Sequence, residues 1–127
     1  MAKKEAKIEE DRIKTHIPGF DKAINGGLIP NSLNLVSGGP GSGKTIFCLQ
    51  YIYNGITKDN EKGLIITFDE NTSSIEGDAM EFGWDLKKLE NTGKCVLLAF
   101  EPFKFRDIRK DVINLIKKAN IKRVVID

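Results

Sequence analysis

Histidine occurs once in the 127 residues, at His16, and cysteine twice, at Cys48 and Cys95. A metal centre of imidazole and thiolate ligands needs those residues clustered at characteristic spacings, and these three supply no such pattern. Both thiols sit in apolar segments and read as buried, and His16 reads as incidental, neither ligand nor base. No apolar run approaches the roughly 18 residues of a membrane span, and the charged N-terminus lacks the apolar core of a signal peptide. The expectation is a cytoplasmic protein with no membrane contact. An excess of one charge is also missing: 20 Lys and Arg against 18 Asp and Glu leave +2. That balance is too even to argue for nucleic acid on electrostatics alone. What remains, 40% hydrophobic and 30% charged residues, is an ordinary globular composition in a chain long enough for one domain with a moderate core.

Residues 1–14 are a run rich in Lys and Glu, expected as a charged arm with little order ahead of a domain over 15–127. Turn signals follow at Pro18-Gly19, Gly26-Gly27 and Pro30-Asn31, with a helical turn or two expected over 20–24. Beyond them, β-prone and helical stretches alternate. Strands are expected over 32–37, 63–68, 94–100 and 122–127. A helix is expected from about Lys44, with Asn54-Gly55 read as its stop signal. Another should be capped by Thr72 or Ser73 and broken at Gly83, with a further turn or two over 84–89. A third, over 105–119, carries an apolar stripe of Ile108, Val112, Leu115, Ile116 and Ala119. The near-continuous apolar run of 63–68 is what a strand buried on both faces requires. Strands alternating with helices mean an α/β fold built on a parallel, doubly wound sheet.

One stretch carries chemistry plainly. Gly38-Gly39-Pro40-Gly41-Ser42-Gly43-Lys44-Thr45 reads G-x-x-x-x-G-K-T, the P-loop or Walker A pattern. Glycines let successive backbone N–H groups converge on phosphate oxygens where a side chain would interfere. Lys44 offers a compact cation for the β- and γ-phosphates, and the Thr45 hydroxyl can ligate Mg²⁺. A helix starting beside the loop aims its unpaired N–H groups at the same anions. The expected strand before the loop and helix after it are the context that such a pattern needs.

Two further positions complete a nucleotide site on paper. Val124-Val125-Ile126-Asp127 is a short apolar strand ending in an acid, the Walker B arrangement that fixes Mg²⁺ from the far side, which makes Asp127 the second metal candidate. Asp69-Glu70 follows the second strand at its C-terminal end, where open α/β sheets bind ligands. A carboxylate there can orient or deprotonate an attacking water; a solvated turn is the plainer reading of the same pair.

Taken together, these residues resemble the archaeal KaiC-like ATPases of the RecA/RadA superfamily over about residues 12–127. The likeness rests on His16-Ile17-Pro18-Gly19-Phe20-Asp21, Asn25-Gly26-Gly27-Leu28-Ile29-Pro30, the P-loop, Gln50-Tyr51-Ile52-Tyr53-Asn54-Gly55, Phe68-Asp69-Glu70 and Phe82-Gly83-Trp84-Asp85-Leu86. It implies a RecA-like P-loop NTPase fold, ATP and Mg²⁺ as cofactors, and a catalytic carboxylate within Asp69-Glu70, with Glu70 preferred. Asp69 stands where KaiC proteins usually carry a first Glu.

The resemblance extends over the first half of a KaiC module, with the Walker B aspartate as the last residue. It implies a sheet in the order 95–100, 63–68, 122–127, a gap, then 32–37. Either the two flanking strands pair directly, or a homo-oligomer or partner chain completes the sheet, or the fold is marginal. Asp127 sits on a terminus that can fray, so its Mg²⁺ geometry is expected to be poor. The resulting expectation is an ATP-binding protein with compromised hydrolysis. A truncated non-catalytic remnant or interaction module, and a DNA-recombination ATPase, are the alternatives.

Overall fold

The computed structural model describes residues 11–127. Its elements, in chain order, are α1 (Phe20–Ala23), α2 (Lys44–Asp59), β1 (Lys62–Thr67), α3 (Thr72–Met80), α4 (Leu86–Asn91), β2 (Cys95–Ala99), α5 (Phe105–Lys118) and β3 (Ile121–Ile126), with a 3₁₀ turn at Pro102–Lys104. The strands form one parallel sheet in the order β2-β1-β3. This is the small α/β domain expected, a RecA-like parallel sheet flanked by helices.

The alternation of side chains along a strand sends successive residues of β1 to opposite faces, and each face has its own core. Ile65 packs with Leu97 of β2, Val125 of β3, Leu49, Ile52 and Ile56 of α2, and Ile75 and Ala79 of α3. Leu64 and Ile66 face the other way, onto Val112 and Ile121, with Ile108, Leu115 and Ile116 of α5 packed alongside. β1 is central, paired on both edges, and therefore buried along its apolar length. Both faces being covered explains why its sequence shows no polar alternation.

Helix α2 departs from expectation. It does not stop at Asn54-Gly55 but runs through both to Asp59, ending at Asn60 in the left-handed conformation (φ 54°). The pair is there for packing. A Cβ on Gly55 would overlap the Arg123 guanidinium, and the Asn54 amide donates to the carbonyls of Thr15 and His16, both at 3.1 Å.

The segment over 32–37 is a second correction. It is not a strand: Leu33 is 97% exposed and Leu35 92%. It lies apart from β3, so the direct pairing of the two flanking strands does not occur. A β-prone sequence becomes a strand only where a neighbour accepts its hydrogen bonds, and none of the described residues does. Val124 and Ile126 of β3 are likewise exposed, at 39% and 58%.

The arm expected over 1–14 falls largely outside the described residues, but its last residues are tied down. Ile13 and Leu28 exchange backbone hydrogen bonds of 2.7 and 2.8 Å as an antiparallel bridge. Next to them, the Asp21 carboxylate accepts from the Thr15 hydroxyl (2.7 Å) and from the amides of Thr15 and His16. Burial pushes the Asp21 carboxyl up, and these hydrogen bonds outweigh it to hold the group below its ordinary range.

Candidate functional site

The glycine loop leads straight into α2, whose N-cap is Gly43 at φ 91°; Gly41 also takes a positive φ, 76°. Gly38 matters for a different reason, because a Cβ there would crowd the Ser42 side chain. Gly43 offers no side-chain cap, and the first intrahelical bond is Phe47 N–H to Gly43 O at 2.9 Å. The N–H groups of Lys44, Thr45 and Ile46 thus have no partner within the helix. Lys44 folds back over the loop, its Nζ donating to Gly38 O at 2.6 Å and Gly39 O at 3.2 Å.

A cavity of about 300 Å³ opens at this helix start, lined by residues 41–46, Glu70 and Asp78. Glu70 arrives from the turn after β1, its amide hydrogen bonded to Thr67 Oγ1 at 3.2 Å. Its Oε2 is buried without a hydrogen-bond partner. Burial, and then the nearby carboxylates of Asp78, Asp127 and Asp69, push the Glu70 carboxyl above its ordinary range.

Asp127 is tied to β1 through its backbone. Its amide donates to Ile66 O at 2.8 Å and its carbonyl accepts from Phe68 N–H at 3.1 Å, continuing the ladder with β1. Its Oδ1 accepts from the Thr45 hydroxyl at 3.1 Å, across 82 residues of sequence. Parallel pairing of β3 with β1 and packing of α2 across both strands bring these two oxygens together.

Of the residues singled out in sequence, Gly41, Ser42, Gly43, Lys44, Thr45 and Glu70 line one cavity, Asp127 joins them through Thr45, and Gly38 and Gly39 hold Lys44. Pro40 is exposed in the loop. Asp69 is exposed and does not line the cavity. Asp78 does line it and was not anticipated. An acid on a helix reads most simply as part of a solvated face, so the sequence carried no usable signal for it. His16 also has more to do than its sequence suggested: its Nε2 lies 2.8 Å from Asp59 Oδ2, at the far end of α2 from the loop.

A larger cavity, about 430 Å³, opens at the opposite end of the sheet among Lys62, Lys94, Lys122 and their neighbours. None of the motif residues reaches it. Among the described residues no group of three or more His, Cys, Asp and Glu side chains can hold a metal ion by itself, and no helix is long and apolar enough to cross a membrane.

A family model described as "ATPase: KaiC" matches residues 13–127. A UPF0273 protein of Methanocaldococcus jannaschii is 35% identical over 116 residues, covering 91% of this chain and 48% of that protein. A second UPF0273 protein, from Sulfurisphaera tokodaii, is 38% identical over 133 residues, with 91% and 47% covered. The circadian clock oscillator protein KaiC of Synechococcus elongatus is 44% identical over 91 residues, 72% of this chain and 18% of that protein. The chain spans about half the length of the UPF0273 relatives.

Proposed function

The chain belongs to the KaiC ATPase family, and from that premise we propose that it binds ATP at the cavity between the glycine loop and Glu70. The observation that carries the reading is the convergence of Lys44, Thr45 and Glu70 on one cavity, with Asp127 bonded to Thr45 at its edge. The loop amides and the unpaired N–H groups at the start of α2 would cradle the phosphates. Lys44 would exchange its two loop carbonyls for phosphate oxygens, a stronger, charge-assisted pairing.

The donor set suits Mg²⁺. Thr45 Oγ1 and Asp127 Oδ1 are both hard oxygens and lie 3.1 Å apart, close to the roughly 3 Å separating adjacent ligands around an octahedral ion with bonds of about 2.0–2.1 Å. The ion would supply charge neutralisation at the β- and γ-phosphates, and oxygens of the nucleotide and water would complete its shell. Glu70 is the side chain placed to orient or deprotonate a water. Burial and the neighbouring acids raise its carboxyl above the ordinary range, the direction that strengthens it as a general base.

Hydrolysis by the lone chain is proposed to be slow, because RecA-like turnover is completed across subunits, as the resemblance implies. The exposed Leu33 and Leu35, and separately the exposed Val124 and Ile126 of the edge strand β3, support a further strand, from a second copy or a partner chain, on the open edge of β3.

Calorimetric titration with Mg·ATP tests the reading. The expected outcome is a micromolar Kd, weakened at least about 100-fold by Lys44→Ala, which removes a charge-assisted contact. Absence of binding by the unsubstituted chain at millimolar nucleotide would overturn it.

A further inference from the structure

The cavity at the glycine loop is lined by more acids than cations. Its cation is Lys44, already hydrogen bonded to two loop carbonyls. Facing it are Glu70 and Asp78, with Asp127 bonded to Thr45 and Asp69 outside the cavity but near enough to act on Glu70. Glu70 and Asp127 have places in the proposed chemistry; Asp78 has none. Its position is nonetheless built. Asn71 caps α3 by accepting from Ser74 N–H at 2.8 Å, and Ile75 and Ala79, both 0% exposed, fix the rotation of the helix. Asp78, one turn beyond Ile75, is thereby turned onto the cavity. Among the described residues no cation pairs with it.

We infer that Asp78 is a specificity residue that makes this cavity accept a cation-complexed triphosphate and reject the free anion. The inference rests on the nucleotide-binding reading above. A free triphosphate carries about four negative charges at neutral pH and meets Asp78 as a like charge; a divalent cation on the phosphates removes most of that repulsion. The selectivity comes from an unfavourable contact against the wrong ligand. Because Asp78 stands on a helix pinned by two buried side chains, it cannot swing away cheaply when the wrong ligand enters.

The test is equilibrium binding of ATP measured with excess Mg²⁺ and again in EDTA, for the unsubstituted chain, Asp78→Asn and Asp78→Glu. The unsubstituted chain is expected to bind much more tightly with Mg²⁺. Asp78→Asn is expected to narrow that ratio by about three- to tenfold, chiefly by tightening the binding measured in EDTA, as follows from removing one charge from the cavity wall. Asp78→Glu keeps the charge and is expected to keep the ratio. If Mg·ATP binds normally but Asp78→Asn leaves the ratio unchanged, or moves both affinities equally, the role of Asp78 is overturned while the nucleotide site stands. If the unsubstituted chain binds ATP under neither condition, both readings fall together.

Discussion

The two ends of β3 treat their charged residues in opposite ways. Near its start, Arg123 is 1% exposed, yet its guanidinium is fully engaged. Nε and Nη2 donate to Glu61 at 3.2 and 3.0 Å, Nη2 also to Asp59 and Lys14 O, and Nη1 to Tyr51 O. The Tyr51 ring lies 4.7 Å from the guanidinium carbon. At the far end, among the described residues, Asp127 has one hydroxyl partner, Glu70 has an oxygen with none, and Asp78 has no ion pair. A buried charge is tolerated when its partners are built in, as at Arg123. Where partners are withheld and the charges face a cavity, the arrangement costs stability and leaves groups for a ligand to satisfy. The same helix, α2, serves both ends: Gly55 makes room for the arginine and Gly43 caps the helix where the glycine loop enters it.

Removing the closed end should have the largest effect. Arg123→Leu removes the cation from Glu61, leaves Asp59 with His16 alone and takes a donor from the carbonyls of Lys14 and Tyr51, and breaking such a pair from one side costs about 3 kcal/mol, the low end of the range because both carboxylates keep some contact with water. Urea denaturation measures it. A loss below about 1 kcal/mol would mean that the closed end is not held by its arginine.

Glu90 of α4 sharpens the comparison, because it is an unsatisfied acid away from the loop. Its Oε2 is buried without a partner, and burial, then the hydrogen-bonded and like-charged Glu76, push its carboxyl up to about 7. The folded state therefore holds the proton more tightly than the unfolded state, so stability falls as pH rises from about 4.5 to about 7 and the penalty is complete above that. Glu90→Gln should gain about 1 kcal/mol at pH 8, after allowing for solvent screening at a half-buried group, and nothing at pH 4. Thermal melts at the two pH values decide it, and equal shifts at both would contradict the assignment.

Glu70→Gln should act with the same sign and less strongly, about 0.5 kcal/mol or less at neutral pH, since its raised carboxyl likewise loses stability as pH climbs above the unfolded value. Its larger effect should be on turnover. A variant that is destabilised at neutral pH would show that the open end is held together by Glu70 and not held open for a ligand.

Much of the site was legible because its chemistry is local. Gly38 to Thr45 are consecutive, and a phosphate cradle of the kind proposed would be made mostly of backbone, so the pattern of glycines is itself the candidate site. Asp127 and Glu70 were legible as acids at the ends of apolar runs. Asp78 was not, since only the rotation of α3 about Ile75 and Ala79 turns it onto the cavity. Asn54-Gly55 misled for a related reason: a glycine that ends a helix and one that admits a neighbouring arginine look the same in one dimension. Segment 32–37 misled because strand propensity is fulfilled only by a partner edge.

By itself, the order of residues determined the glycine loop, the three strands β1 to β3 and the helices between them, because local propensity and burial pattern agree there. Tertiary structure alone decided which charges are paired and which are left open. Arg123 meets Lys14 across 109 residues and Thr45 meets Asp127 across 82. Pairings over such distances depend on sheet register and helix rotation, which no local pattern encodes.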